Sequence, residues 1–212
     1  MGKGGWQGKL YAIAEWITML AVLQLMWTGL TLLGLVIFGI SPATAGLFSV
    51  IRKRLQGQED LKGLVSEYWR VYKKEWIAAN KIGIVLIIVG YFLATNLRIV
   101  LAMPSTASNI LLVSVLTMIS ILYIVLCMNI FQVFTHYELP FSRYFSTSVL
   151  LMVSFPIQGI GSLLGVYLLY QLFLFLPGLL PFFGISVTAI FLSWMSSQIF
   201  KMKDAKENAI TT

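Results

Sequence analysis

Five apolar runs, over residues 12–38, 82–103, 109–135, 145–170 and 182–200, leave little room for anything but a membrane protein. A helix that crosses a bilayer needs about 20 mostly apolar residues, and each run supplies about that many. None alternates with the period of two that a barrel strand requires. A soluble domain would carry roughly 25% charged residues, whereas this chain has 11%. The expected fold is all-α, a polytopic membrane helix bundle in one domain over residues 1–212. It comprises about five full spans, one short or re-entrant helix after the first span, and one amphipathic cytosolic helix within an insert at about 56–80. The fourth run is broken by Pro156, and its Gly161 and Gly165 form a small-residue pair suited to close helix packing.

The short helix follows from Ser41-Pro42. A serine oxygen can accept from an unpaired N–H of a first helical turn, and proline at the first helical position gives up a donor that has no partner there. Pro42, Ala45 or Gly46, and Ser49 then recur at helical spacing. Ser41, Pro42, Ala43, Thr44, Ala45 and Gly46 therefore form a candidate packing motif against a neighbouring helix. Arg52, Lys53 and Arg54 close the segment, where cations complement the helix dipole. The apolar part, residues 42–51, is too short to span, so a helix that enters the membrane from a turn and returns is expected.

Gln56-Gly57-Gln58 reads as a turn, with Glu59 and Asp60 suited to a helix N-terminus. Leu61, Leu64, Val65, Tyr68, Trp69, Tyr72 and Trp76 then form one apolar stripe at helical steps. Lys62, Arg70, Lys73 and Lys74 flank it. Tyr68, Trp69, Tyr72, Lys73, Lys74 and Trp76 are candidates for contact with a partner or with the membrane surface. The stripe also suits packing against the protein itself.

Charge placement sets an orientation. The net charge is +7, but the basic residues fall between apolar runs, as the bias toward cytoplasmic Lys and Arg requires, so no nucleic-acid partner is expected. With both termini and residues 52–81 inside, Arg98 is the only one of fifteen Lys and Arg residues left outside. The expected location is a plasma membrane, crossed several times, with the lipid bilayer as the certain partner. Residues 1–15 do not have the form of a secretory signal.

Candidate chemistry is sparse. No stretch matches a P-loop, a dinucleotide turn, a metal-ligand spacing or a nucleophile elbow. The one cysteine, Cys127, cannot form an intrachain disulfide, and the one histidine, His136, sits at a span boundary. Carboxylates buried at mid-depth, the usual mark of an ion-coupled transporter, are missing from the runs. The buried polar residues are uncharged: Gln24, Asn96, Asn129, Gln132, Gln158, Gln171 and Gln198, which more often bond across helices than line a route, although a sugar-contacting cavity would use the same amide types. No catalytic residue, cofactor or metal is assigned, and the expectation is a protein that is not an enzyme.

The stretch from Ile37 to Phe48, followed by Arg52-Lys53, resembles the YesL family of bacterial integral membrane proteins. The resemblance continues through Tyr68-Trp69-Arg70 and Tyr72-Lys73-Lys74-Glu75-Trp76 to Asn80 and Gly83. Ser41 and Gly46 depart from the pattern, which more often has a bulkier residue and alanine there. The family has no established biochemical activity. Its members look like companions of carbohydrate ABC transporters in Gram-positive bacteria. The resemblance thus implies an accessory or regulatory membrane protein, with carbohydrate transporter subunits as possible partners. A small stand-alone transporter or channel is the alternative.

Overall fold

The computed structural model describes residues 6–57 and 61–210. Gln58, Glu59 and Asp60, to which a turn and a helix start were assigned above, lie outside the described residues. The described chain forms eight α-helices and no strand: α1 (Trp6–Leu33), α2 (Ile40–Leu55), α3 (Leu61–Lys74), α4 (Trp76–Leu101), α5 (Ala107–His136), α6 (Phe141–Ser154), α7 (Pro156–Phe175) and α8 (Leu180–Ile210). Five segments are long and apolar enough to cross a membrane: Gly8–Leu33, Trp76–Leu101, Ala107–His136, Pro156–Phe175 and Pro177–Gln198.

The all-α bundle and its number of span-length helices agree with the sequence. Two boundaries do not. The first helix stops at Leu33, short of Phe38, because Leu35 and Val36 adopt left-handed backbone with φ of 54° and 65°. Branched and bulky residues rarely take that conformation, and here the surrounding turn imposes it. Gly34 and Gly39 let the turn close, since a Cβ on Gly34 would strike the Gly39 backbone and one on Gly39 the Thr31 carbonyl. The fourth run divides into two helices at Phe155-Pro156, leaving α6 with 14 residues and α7 with 20. Proline cannot continue the hydrogen-bond ladder of the preceding turn. Gly161 and Gly165 then seat Met195 and Phe191 of α8.

At the centre lies α2. Ser41, Pro42, Ala43, Ala45 to Ile51 are all buried, and the helix packs against α1, α3, α4, α5 and α8. Its 16 residues measure about 24 Å at 1.5 Å per residue, less than the roughly 30 Å of bilayer hydrocarbon. Arg54 at its end pairs with Glu15 of α1, so the chain has turned back beside the helix it left. Then α3 doubles back along α2, and Asn80 at the start of α4 donates to the Phe38 carbonyl at 2.9 Å. The α1–α2 turn therefore lies beside the start of α4.

Candidate functional site

The Ser41-Pro42 pair acts differently from a helix cap. The helix begins at Ile40, the cap position is Gly39, and no side chain caps it. The tight turn already holds Gly39 in helical backbone, so the helix starts before Ser41. The serine hydroxyl instead fills the space against Gly83 of α4, where any Cβ would collide with it. Pro42, lacking an amide hydrogen, leaves the Phe38 carbonyl without its helical donor. Asn80 supplies one, as noted, and also donates to Trp76 O at 2.9 Å. The rings of Phe38 and Trp76 lie 6.4 Å apart.

The rest of the motif binds α2 to α3 and α1. A Cβ on Gly46 would stand 2.8 Å from Tyr68 Cε1. Fully buried, Tyr68 donates its hydroxyl to Ala43 O at 2.6 Å, and burial raises its phenol well above the ordinary range. Tyr72 donates to Leu30 O at 3.0 Å. Thr44 Oγ1 accepts from Trp27 Nε1 at 3.1 Å and donates to Ile40 O at 2.7 Å. In the small-residue motif, then, Gly46 receives a ring rather than another backbone.

This geometry divides the six surface candidates of α3 and the α3–α4 junction. Tyr68 and Tyr72 are buried and are removed from the contact surface, because a stripe at helical spacing suits a core as well as a membrane. Trp69 remains 42% exposed and Trp76 39%. Trp69 stacks on Tyr72 with centroids 5.9 Å apart and planes at 6°, while the Lys73 ammonium stands 4.5 Å from the Trp69 ring centre. Lys74 lies 3.5 Å from Glu75.

The three cations ending α2 leave the helix about 100° apart and meet different surroundings. Lys53 bonds Glu67 at 3.0 Å, and Glu67 also receives Arg70 at 2.7 Å. The hydrogen bond from Arg70, more than the Lys53 contacts and against the effect of burial, pulls Glu67 down to about 2. Arg54 takes Glu15. Arg52 alone of the three makes no ion pair among the described residues; it turns toward a cavity of about 280 Å³ between the C-terminal ends of α2 and α5 and the middle of α8. Burial lowers its guanidinium from the usual value, with the field of Glu67 opposing.

Polar residues of the spans partition unevenly. Gln24 Oε1 accepts from Ile185 N and Ser186 N at 3.0 Å each, tying α1 to α8. Asn129 meets Ser196 across α5 and α8 at 3.5 Å. Asn96 and Gln132 instead donate to their own helices, and Gln171 donates to Tyr167 one turn away. A tyrosine the sequence did not single out, Tyr123, bonds Leu86 O at 2.6 Å and fixes α5 to α4. His136 lines the cavity beside Arg52 and Gln132. Among the described residues no group of three His, Cys, Asp or Glu side chains could hold a metal.

Span-length helices packed around a short buried helix, which pairs with α3 as a hairpin, define a polytopic helical membrane protein with a core built by its second helix. The residues that make that core, from Phe38 to Gly83, are those on which the YesL-family resemblance rests. The chain belongs to this family: it matches the family described as "Protein of unknown function, DUF624" over residues 20–97, an interval that holds the whole hairpin. It is 32% identical over 187 residues to "Uncharacterized protein YteU" of Bacillus subtilis (strain 168), covering 88% of this chain and 83% of the relative. It is 32% identical over 203 residues to "Uncharacterized protein YesV" of the same organism, covering 94% and 95%. To "Uncharacterized protein YesL", also of that organism, it is 30% identical over 192 residues, covering 91% and 90%. No solved structure matches the chain.

Proposed function

We propose that the protein is a non-enzymatic accessory or regulatory subunit of a bacterial plasma membrane, with both termini cytoplasmic, that acts beside a carbohydrate ABC importer. The importer half of this reading rests on the family resemblance alone. The accessory half draws on one observation, the Trp69–Lys73 patch. Trp69 is half exposed, yet it is stacked on a buried tyrosine and capped by an ammonium. A preordered tryptophan loses little rotamer freedom on docking, which is how such residues come to carry binding energy at protein interfaces.

The test is co-purification from cells in which a carbohydrate importer is induced. Trp69→Ala should lose the permease while the protein still inserts, whereas Tyr72 is left intact because its removal would open the core. A lipid-held patch would instead respond to charge reversal at Lys73 and Lys74 without losing a protein partner. Recovery of no permease by the unmodified protein in gentle detergent would count against the accessory reading. The alternative, a small stand-alone transporter or channel, draws on the cavity at the end of α2, whose mixed lining includes Arg52, Gln132 and His136. Uptake by liposomes containing this chain alone would favour it.

A further inference from the structure

We infer that the cavity between the C-terminal ends of α2 and α5 and the middle of α8 is a binding site for a phosphate-bearing polyol, with the phosphate on Arg52 and a ligand hydroxyl on Gln132. This goes beyond the accessory reading and does not depend on it.

The first observation is the division of labour at the end of α2. Lys53 and Arg54 are each neutralised by a carboxylate, Glu67 and Glu15. Arg52 lines the cavity, and among the described residues its buried Nε has no hydrogen-bond partner. Among the described residues, no carboxylate lines that cavity. Burying part of a guanidinium without a counter-ion is unfavourable, and a bound anion would relieve it.

The second observation is independent. Gln132 is 5% exposed and lines the same cavity. Its Nε2 donates to Met128 O at 2.8 Å, while its buried Oε1 has no partner among the described residues. A carbonyl oxygen can only accept, so it lacks a donor, which an anion by itself cannot provide. A ligand that satisfies both residues carries negative charge and a hydroxyl. On the α8 side, Ser196 and Ser197 already donate to Asn129 Oδ1 and Trp194 O, which leaves their oxygens to accept, while Phe48 and Leu55 give part of the wall an apolar surface.

Geometry places the anion on Arg52 itself. The cavity is bounded by the C-terminal ends of α2 and α5, where helix carbonyls disfavour negative charge, so the guanidinium is the seat. Guanidinium and phosphate match as fork to fork, which lysine cannot do. A volume of about 280 Å³ lies just below the range of about 300–1,000 Å³ typical of small-molecule sites. It suits a head group or one phosphorylated sugar, not an oligosaccharide. Trp194, half exposed on the lining, places an amphipathic aromatic there, a residue that favours the headgroup region of a bilayer. Two sources share this chemistry: the phosphoglycerol head of an anionic lipid, and a free sugar phosphate.

The test uses the full chain, purified and delipidated in a neutral detergent. In one arm, native mass spectrometry follows titration with phosphatidylglycerol, phosphatidic acid and phosphatidylcholine. In the other, calorimetry follows titration with glucose 6-phosphate, glucose and inorganic phosphate. Saturable binding is expected for phosphatidylglycerol or for glucose 6-phosphate, and the arm that responds names the source. Arg52→Gln should weaken it about tenfold or more, the worth of a charge-assisted hydrogen bond. Arg98→Gln, at the other end of α4, should leave it unchanged. Gln132→Leu should remove the preference for phosphatidylglycerol over phosphatidic acid, or for glucose 6-phosphate over phosphate, and so carries the test if Arg52→Gln does not fold. Absence of saturable binding in both arms overturns the proposal. Binding that neither Arg52→Gln nor Gln132→Leu alters overturns it equally.

Discussion

Pro42 and Asn80 should be coupled in stability although they stand on different helices. Proline leaves the Phe38 oxygen without the N–H that would come from residue 42, and Asn80 Nδ2 fills the vacancy at 2.9 Å from within a buried site. Asn80→Leu keeps the volume and strands that carbonyl, at a cost of about 1–3 kcal/mol. Pro42→Ala by itself should cost about 0.4–1 kcal/mol, because it frees the unfolded chain. It also restores a backbone donor aimed at Phe38, so in that background Asn80→Leu should cost about 1–2 kcal/mol less than in the parent. The second bond of Asn80, to Trp76 O within its own helix, is lost in both backgrounds and cancels. For a chain of this size 2 kcal/mol corresponds to roughly 4–8 °C in melting temperature. Thermal unfolding of the four proteins in neutral detergent, followed by tryptophan fluorescence, reads the cycle directly. Additivity to within about 0.5 kcal/mol would refute the argument.

Other outcomes follow from the same contacts. Gly46→Leu should lower stability by about 3 kcal/mol, since even a Cβ meets the Tyr68 ring at 2.8 Å and overpacking of this kind is destabilising. Ser66→Leu, on an exposed position of α3, should change melting little, and equal melting of the two would mean that Gly46 has room. Glu67 titrates at about 2 in the folded chain against an ordinary 4.5, so its contribution is complete above pH 4.5 and is lost as pH falls toward 2. Solvent screening at the exposed Arg70 side reduces that contribution to about 1–2 kcal/mol; melting should drop between pH 5 and pH 3 in the parent and much less in Glu67→Gln, with parallel curves counting against it. For orientation, with Cys127 replaced, cysteines at Ser66 and Ser142 should resist a membrane-impermeant thiol reagent in intact cells and one at Ser105 should label; the reverse pattern would invert the topology.

Much of this fold is legible because bilayer thickness and backbone hydrogen bonding allow few alternatives to apolar helices of span length. The prolines were legible too, though with different consequences. Pro156 divides α6 from α7, as its missing donor requires. Pro42 also removes a donor, but the replacement comes from Asn80, 38 residues later, and no local pattern reveals that. Leu35 and Val36 were opaque for a related reason: nothing in a leucine-valine pair announces left-handed backbone, which the turn closed by Gly34 and Gly39 imposes. In α3, periodicity identified the apolar side and left its occupant open. Tyr68 and Tyr72 turn out to serve the core through hydroxyl bonds to α2 and α1 carbonyls, and Trp69 stays outside. The cavity was the least legible feature, since Arg52, Gln132 and Ser193 come from three separate helices.

The family motif can now be divided by what each residue is needed for. Ser41 and Gly83 touch each other, Phe38 and Asn80 share a hydrogen bond, and Gly46 and Tyr68 lock α2 to α3. Substitution at these positions should be read first as loss of fold, whatever activity is being measured. Lys53 and Arg54 belong with them, because each holds a carboxylate of another helix. Arg52 does not. The dipole at the end of α2 is already complemented by its two neighbours, and a buried guanidinium Nε without a partner lowers stability. A neutral residue of similar length at position 52 should therefore fold at least as well as arginine. Function is to be sought where polar or aromatic groups are left with contacts still to make: at Arg52 and Gln132 in the cavity, and at the exposed side of Trp69 beside Lys73 on the edge of the hairpin.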